Sequence, residues 1–376
     1  MRQEGFRVNT TARRLLVPYT VAASLAAPSL NAQTDPAPET IDAIFAEWDR
    51  PDSPGCALGV YRDGELVYQN GYGMANLDWG IPIDPATVFY VGSVSKQFTA
   101  ASTALLVRGG DLSLDDDIRA YLPELPAYDS PVTIGHLLHH TGGMRDMYET
   151  MVAEGVDIFD IVSDAEAIEL LSRQALDFPP GDRFSYSNGG YFLLAQIVQR
   201  VSGMSFNEFT RTNIFEPLGM RDTHFHDDPG HIVASRAMSY EKDDSGRTRQ
   251  NYVSTFDFVG QGGLYTTVGD LILWDRNFYE SRVGGAGFTD FMLTRGALDS
   301  GEQVPYALGL MHMDYRGQRV IDHSGGMMGF RADLVRFPDQ HFSVAALCNQ
   351  SDIDPSALTR RVADLYLADV LEPGRR

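Results

Sequence analysis

The sequence predicts an α+β fold in which strands from both ends of the chain form one antiparallel sheet, with a helical block between them. Strand-like stretches lie near the two ends, and residues 111–300 read mainly as helices and loops. With 376 residues, 43% of them hydrophobic, the chain can bury a large core. We expect one domain over residues 33–376, with an α/β lobe at about 38–108 and 301–371 and a helical lobe at about 111–300.

The first 32 residues predict a signal peptide. A basic segment opens the chain and contains Arg2, Arg7, Arg13 and Arg14. An apolar run from Leu15 to Leu30 follows, broken by Pro18, and Ala32 is the expected last residue before cleavage. The run is too short to span a bilayer, which takes about 20 residues. The prediction is therefore a periplasmic or secreted protein with no stable membrane span after cleavage.

The first elements of the mature chain follow from hydrophobic spacing and turn residues. An amphipathic helix is predicted by apolar residues at helical spacing, namely Ile41, Ile44, Phe45 and Trp48. Cys56–Tyr61 and Leu66–Tyr72 flank Asp63-Gly64, a combination that predicts a β-hairpin. The Ala- and Leu-rich stretch Gln97–Arg108 predicts a buried helix that ends at a glycine pair.

Later elements follow from the same signals. Helices are predicted over Thr133–His139, Ala165–Ala175, Tyr191–Ser202, Phe206–Ile214 and Thr267–Phe278. Loops are predicted at Pro179–Gly181, Glu241–Gln250 and Gly260–Gly263. Two late hairpins are predicted, one from Tyr306–Tyr315 and Gln318–Asp322, the other from Phe330–Phe337 and Phe342–Asn349. A last helix starts after Asp354 and continues to Leu371.

The charge and the cysteines limit the possible partners and environments. A net charge of −21 argues against nucleic acid and anionic membrane surfaces as partners. A small-molecule or peptide substrate is expected instead, and the oligomeric state is left open. The favoured interpretation of Cys56 and Cys348 is two small, buried, apolar side chains that are not bonded to each other, because buried free cysteine is common. Export would permit a disulfide between them, provided that the first and last strands are neighbours.

The stretch Phe89–Phe98 carries the first chemical signal, an apolar strand end and a glycine followed by Ser-x-x-Lys. In a helix, Ser93 and Lys96 lie one turn apart, so a hydroxyl has an amine beside it. Lys96 and Lys242 are the only lysines in a chain that otherwise uses arginine for positive charge. Arginine keeps its proton, whereas a partly buried lysine can lose it, so Lys96 suits the role of a base.

Two further motifs follow in order along the chain. Tyr186-Ser187-Asn188 precedes a predicted helix, and His323-Ser324-Gly325 ends a late strand. Each residue alone has an ordinary explanation, since a serine caps helices and tyrosine and asparagine are common in loops. Together, Ser-x-x-Lys, Tyr-x-Asn and His-x-Gly resemble the serine β-lactamase and penicillin-binding-protein superfamily. The resemblance covers about residues 38–371 and is greatest to the branch with class C β-lactamases, DD-carboxypeptidases, D-aminopeptidases and β-lactamase-like esterases.

The resemblance implies a β-lactamase/transpeptidase-like fold and a role for each matching residue. Ser93 corresponds to the acylated nucleophile, Lys96 to the lysine that holds or moves its proton, and Tyr186 to the tyrosine beside them. Substrate contacts are implied for Asn188, His323 and Gly325. The oxyanion hole is implied at the backbone N–H groups of Ser93 and Gly326. No cofactor and no metal are implied.

These roles predict an exported serine hydrolase that forms an acyl-enzyme on Ser93 and acts on D-amino-acid peptides, β-lactams or small esters. Either Lys96 or Tyr186 is the resting base, and an ammonium at Lys96 is expected to lower the pKa of Tyr186. His323 replaces the lysine of the third family motif. Because histidine is mostly uncharged at neutral pH, it is a weaker clamp for a substrate carboxylate.

Two alternatives come from other classes of protein. One is a penicillin-binding sensor or scaffold that acylates with little turnover. The other is a zinc hydrolase, suggested by His224, His226, Asp228 and His231, and by a second histidine group at His136, His139 and His140. Pro229 stands where the zinc-hydrolase motif has its next histidine, and short motifs of this kind often arise by chance. The sequence therefore favours the serine enzyme.

Overall fold

The computed structural model describes residues 35–156, 160–251 and 258–374, so the predicted signal peptide lies outside the described residues. Its helices are α1 (Pro38–Phe45), α2 (Lys96–Gly109), α3 (Ile134–Leu138), α4 (Met147–Ala153), α5 (Asp164–Ser172), α6 (Asn188–Ser202), α7 (Phe206–Thr210), α8 (Glu216–Leu218), α9 (Val268–Glu280), α10 (Phe288–Met292) and α11 (Pro355–Tyr366). Its strands are β1 (Cys56–Arg62), β2 (Glu65–Tyr72), β3 (Met74–Asn76), β4 (Ile81–Pro82), β5 (Phe89–Tyr90), β6 (His224–Phe225), β7 (Ser239–Lys242), β8 (Thr248–Asn251), β9 (Leu264–Thr266), β10 (Met311–Tyr315), β11 (Gln318–Met327), β12 (Phe330–Phe337) and β13 (Phe342–Cys348).

Six strands form the main sheet in the order β10-β11-β12-β13-β1-β2, and every neighbouring pair is antiparallel. The predicted pairing of strands from the two chain ends is thus confirmed, as is the α+β fold class. The first hairpin turns at Asp63 and Gly64, whose φ values of 51° and 75° give the turn that matches the twist of paired strands. Smaller sheets pair β3 with β4, β7 with β8, and β9 with both β5 and β6.

The interpretation of the cysteines as free buried side chains is wrong, because Cys56 and Cys348 form a disulfide. They lie directly opposite each other where β1 pairs with β13, with their Cα atoms 4.0 Å apart. The bond links residues 292 positions apart in the sequence. It became possible because the first and last strands of the sheet are neighbours, which the spacing of the cysteines alone does not reveal.

Helices cover both faces of the main sheet. On one face, α1 and α11 pack against Leu58 and Val60 of β1. On the other face, α9 packs against β1, β2 and β13, and the hydroxyl of Tyr61 donates to the carbonyl of Val268 at 2.7 Å. Residues of β1 alternate between these two cores, and six of its seven residues are buried. A strand covered on both faces has no polar side, which explains its continuous apolar sequence.

Several predicted elements differ from the structure. The strand predicted as Gln318–Asp322 continues to Met327 and so contains His323. Tyr306–Tyr315 was expected to be one strand, but only Met311–Tyr315 is extended, because the preceding residues leave the sheet and pass over the start of α2. A Cβ atom on Gly309 would lie 2.5 Å from the carbonyl oxygen of Lys96. The polar run predicted as a loop contains the β7–β8 hairpin. The last helix ends at Tyr366, not at Leu371.

Because residues 306–310 leave the sheet, part of β11 pairs with a strand on one side and not on the other. β10 pairs with β11 only as far as Met311 opposite Asp322. Beyond Asp322, residues His323–Met327 pair with β12 on one side. Their other edge faces the segment that carries Ser93. The fold therefore positions a strand edge beside the predicted nucleophile.

Among the described residues, no helix is long and apolar enough to cross a membrane.

Candidate active site

Ser93 lies in a single 3-10 turn, Gly92–Ser95, between β5 and α2. The turn places the Ser93 hydroxyl 3.1 Å from Nζ of Lys96, the contact that the Ser-x-x-Lys spacing predicts. The alternative that Ser93 merely caps the helix does not hold, because Val91 and Ser95 occupy the cap positions and make no side-chain cap. Gly92 has a φ of 52°, and a Cβ atom there would lie 2.4 Å from the N atom of Gly326.

Lys96 is completely buried at the first position of α2. Its Nζ contacts three oxygens: the Oδ1 of Asn188 at 2.8 Å, the carbonyl of Gln261 at 2.6 Å and the Oγ of Ser93 at 3.1 Å. Burial lowers the pKa of Lys96 well below its ordinary value, and the negative charge of Asp146 partly opposes that shift. These surroundings favour the neutral amine, which is the form that can accept a proton.

Tyr186 lies just before Ser187, the residue that caps α6. Its ring lies 4.8 Å from Nζ of Lys96, and its side chain lines the same cavity as Ser93. Burial raises the pKa of Tyr186, an effect that the Ser93 contact opposes and the charge of Asp146 adds to. The expectation that Lys96 lowers this pKa is wrong. The amine lies against the face of the ring, and the pKa of Tyr186 is raised rather than lowered, so Tyr186 remains a phenol at neutral pH.

Asn188 is the first residue of α6 and lies behind Lys96. Its Oδ1 accepts from Lys96, while its Nδ2 donates to the carboxylate of Asp146 at 2.7 Å. Both ends of the amide are therefore engaged within the protein. The predicted contact between Asn188 and a substrate carbonyl stays a prediction.

The third motif forms the wall of the cleft on β11. His323 is buried, its Nδ1 donates to the carbonyl of Ser324 at 2.6 Å, and its Nε2 accepts from the hydroxyl of Tyr306 at 2.8 Å. Burial, and secondarily the charge of Lys96, lower the pKa of His323 to about 3. The histidine is thus uncharged at neutral pH. It carries no positive charge for a substrate carboxylate.

Gly325 and Gly326 bring the backbone of β11 against the nucleophile. A Cβ atom on Gly325 would lie 2.0 Å from the carbonyl oxygen of Val91 and 2.7 Å from the N atom of Ser93. Only glycine fits at this approach. The N atoms of Ser93 and Gly326 therefore lie at the same corner of the cleft, as an oxyanion hole requires.

Two cavities meet at Ser93. One, of about 870 Å³, follows the edge of the sheet toward α11, and Met311, Met313 and Arg360 are among its lining residues. The other, of about 260 Å³, is lined by Tyr90, Tyr148 and Gln261 among others. Ser93 and Gly326 line both. A substrate whose carbonyl group is held at this junction can therefore place one part of its structure in each cavity.

The histidines of the zinc alternative lie on and after β6. The ring centres of His224, His226 and His231 are 5.4–6.0 Å apart, and burial lowers the pKa values of His224 and His226 to about 4. Among the described residues, no group of three or more His, Cys, Asp or Glu side chains is arranged to hold a metal ion. The second histidine group is used differently. For example, His136 accepts from the N–H of Thr133, and His139 contacts two backbone carbonyls.

Several residues that complete the site belong to none of the predicted motifs. Asp146 holds Asn188, the carbonyl of Gln261 accepts from Lys96, and Tyr306 donates to His323. Gln261 lies in a stretch that was predicted only as a glycine-rich loop. Asp146 has one sequence signal, since it stands as a helix cap before α4. That signal identifies a cap but gives no indication of the contact with Asn188.

A family model described as beta-lactamase matches residues 41–369, so the chain belongs to the beta-lactamase family. A D-aminopeptidase from Gluconobacter oxydans (strain 621H) is 31% identical over 315 residues, which cover 82% of this chain and 58% of that relative. The chain thus spans about three fifths of that relative's length.

Two solved structures support the same assignment. The octameric penicillin-binding protein homologue from Pyrococcus abyssi is 29% identical, with a TM-score of 0.76 over 88% of this chain and 76% of that one. The penicillin binding protein from Bacillus halodurans is 26% identical, with a TM-score of 0.75 over 86% of this chain and 98% of that one. The predicted family and fold are thereby confirmed.

Proposed function

We propose that this protein is an exported serine hydrolase that forms an acyl-enzyme on Ser93 and acts on D-amino-acid peptides, β-lactams or small esters. The observation that carries the proposal is the 3.1 Å contact between Ser93 Oγ and the buried Nζ of Lys96. A serine hydroxyl becomes a useful nucleophile only when a base takes its proton. A buried lysine with a lowered pKa supplies that base at neutral pH.

The geometry supports a two-step reaction. In acylation, Ser93 Oγ attacks the substrate carbonyl carbon while Lys96 Nζ takes the hydroxyl proton. The N–H groups of Ser93 and Gly326 stabilise the oxyanion, and each such donor is typically worth about 3 kcal/mol. Tyr186, a phenol beside Ser93 Oγ, is placed to pass a proton to the leaving nitrogen or oxygen as its bond to carbon breaks. The proton on Lys96 then restores the phenol.

Deacylation uses the same groups. Water attacks the ester carbon of the acyl-enzyme, Lys96 accepts a proton from that water, and the acid product leaves as Ser93 Oγ regains a proton. The net change is hydrolysis of one amide, lactam or ester bond. Lys96 is the resting base in this scheme, because its pKa is lowered while that of Tyr186 is raised.

The charges along the larger cavity favour substrates that bring no carboxylate to it. Among the described residues that line it, Arg360 is the only one with a positive charge, and it is paired with Asp322 and Asp333. Asp354 also lines the cavity, and His323 is neutral. Within the proposed range, D-amino-acid amides, peptides with a free amine and neutral esters fit these charges best. The D-aminopeptidase names among the relatives support this order.

Export is proposed from residues 1–32 and is supported by the Cys56–Cys348 disulfide. Disulfides persist in oxidising compartments and are rare in the cytosol. A periplasmic or secreted location is therefore part of the proposal. Fractionation of a cell that expresses the full chain, with mass spectrometry of the mature N-terminus, tests it. Cleavage after Ala32 is expected, and a full-length cytosolic product would contradict it.

The decisive experiment combines labelling with a substrate panel. Wild-type protein is incubated with p-nitrophenyl esters, nitrocefin, D-alanyl peptides and D-amino-acid amides, and intact mass is recorded. We expect steady turnover of at least one class and an adduct on Ser93, both abolished by Ser93→Ala without loss of fold. An adduct on another residue would overturn the assignment. A burst without steady turnover would favour the sensor or scaffold alternative.

A further inference from the structure

The carboxylate of Asp146 is the centre of a group of hydrogen bonds behind the candidate site. As the cap of α4, its Oδ1 accepts from the N–H groups of Tyr148 at 2.9 Å and Glu149 at 3.4 Å. Its Oδ2 accepts from Asn188 twice, from the backbone N at 2.9 Å and from Nδ2 at 2.7 Å. Asp146 therefore joins the start of α4 to the start of α6. It belongs to none of the three sequence motifs.

These contacts determine which way the amide of Asn188 faces. A carboxylate oxygen only accepts hydrogen bonds, so the NH₂ group of Asn188 must face Asp146. The carbonyl oxygen of the amide must then face Lys96, and it lies 2.8 Å from Nζ. Without a neighbour that can only accept hydrogen bonds, the side-chain amide of Asn188 could rotate so that its oxygen and its nitrogen exchange places.

The amide in turn determines where the lone pair of Lys96 lies. A neutral amine has two N–H bonds and one lone pair. Asn188 Oδ1 and the carbonyl of Gln261 cannot donate, so both must receive N–H bonds from Nζ. The remaining direction of Nζ is toward Ser93 Oγ at 3.1 Å. The lone pair is thereby directed at the hydroxyl that must lose its proton.

We propose that Asp146 is a positioning residue for acylation, which fixes the amide of Asn188 and so directs the lone pair of Lys96 at Ser93. The inference rests on the proposed function, since it assumes that Lys96 is the base. The side chain of Asp146 forms its hydrogen bonds with Asn188 and with the start of α4, not with Ser93. It acts through Asn188 and through its charge.

The charge of Asp146 stands out among the groups around Lys96. In the described residues the rings of Tyr186 and Tyr191 face the amine, and the rings of His140 and His323 pack against Tyr186. The two tyrosines have raised pKa values and the two histidines have lowered ones, so all four are uncharged at neutral pH. Among the described residues around the amine, Asp146 is the one whose charge raises the pKa of Lys96.

The test is Asp146→Asn in the full chain. Asparagine caps helices about as well as aspartate, so the variant keeps the cap of α4 and removes the charge and the neighbour that only accepts. We expect kcat to fall roughly 10- to 100-fold with little change in KM, because the base is misdirected. The acid limb of the pH–kcat profile should move to lower pH, because loss of a nearby negative charge lowers the pKa of Lys96.

Two further variants make the result decisive. Asp117→Asn makes the same change at the cap of a 3-10 turn, Ile118–Ala120, where the side chain accepts from Arg119 N at 3.0 Å, and should leave kcat and the pH profile unchanged. Asp146→Ser keeps a capping hydroxyl and repeats the test if the first variant misfolds. A wild-type kcat and pH profile in folded Asp146→Asn would overturn the inference, as would a drop in kcat without a shift of the acid limb. Hydrolysis that survives Ser93→Ala would instead overturn the proposed function.

Discussion

The hydroxyl of Tyr306 donates to Nε2 of His323 across 2.8 Å, and neither side chain is open to solvent. Since Nδ1 of His323 donates to the carbonyl of Ser324, both ring nitrogens are used inside the protein. The family motif thus carries a neutral histidine that is fixed by a tyrosine from the segment before β10. His323 thus links β11 to the segment before β10, through the bond from Tyr306. That arrangement agrees with the proposed preference for substrates without a carboxylate.

Tyr306→Phe tests this arrangement. The change removes the donor to His323 and leaves a buried acceptor without its partner, which costs about 1–3 kcal/mol. We expect the free energy of unfolding in urea to fall by that amount. Tyr315→Phe is the control, because its hydroxyl donates to Asp364 in a partly exposed position and its loss should cost less. Equal losses in the two variants would contradict the role assigned to the Tyr306–His323 bond.

Gly325→Ala tests the close approach between β11 and the nucleophile. A Cβ atom there would lie 2.0 Å from Val91 O and 2.7 Å from Ser93 N, so the strand must move away from Ser93. We expect kcat/KM to fall by about 100-fold or more, since a displacement of about 1 Å at the reacting atoms can cost that much. Labelling of Ser93 should slow in parallel. Folding should survive, because the displaced edge has no partner strand on that side.

Gly269→Ala in α9 is the matched control for that experiment. A Cβ atom at Gly269 meets only Thr267 Oγ1, at an ordinary distance of 3.6 Å, and alanine favours a helix. Activity should be unchanged and stability equal or slightly higher. Full activity in Gly325→Ala would show that the glycine is not required for the approach.

Local chemistry made much of this structure predictable. The hairpin at Asp63-Gly64 and the contact between Ser93 and Lys96 depend on residues within one turn of each other, so their spacing predicted them. The contact of Asp146 with Asn188 joins residues 42 positions apart. Such a contact depends on how the chain folds between its two partners. No pattern within one stretch of sequence records that packing.

Reduction of the Cys56–Cys348 bond should destabilise the protein but leave its chemistry intact. Loss of a native disulfide typically costs about 2–5 kcal/mol of stability. The bond restricts the unfolded chain, and this entropic effect is larger when the closed loop is long. The cysteines belong to the core under α1 and α11, away from the sheet face that carries Tyr61. We expect Cys56→Ala with Cys348→Ala to lower the urea midpoint while kcat stays within about twofold, a change worth under about 0.5 kcal/mol. A large loss of kcat in the folded double variant would contradict this separation.

The histidine cluster predicts a loss of stability in acid. Burial, together with Arg236 and His231, lowers the pKa of His226 to about 4, against 6.5 for the ordinary side chain. Between these values the unfolded chain binds a proton that the folded chain excludes. The contribution of a neutral His226 is therefore fully present above pH 6.5 and is lost as the pH falls toward 4.

His226→Gln isolates this contribution because glutamine does not titrate. Between pH 7 and pH 5 the wild-type free energy of unfolding should fall more steeply than that of the variant, by at most about 2 kcal/mol. Urea titrations at half-unit steps measure the two curves. Between pH 7 and pH 8 the curves should run parallel, which separates the titration from any constant cost of the substitution. Curves that stay parallel down to pH 5 would show that His226 takes up its proton equally in the folded and unfolded chains.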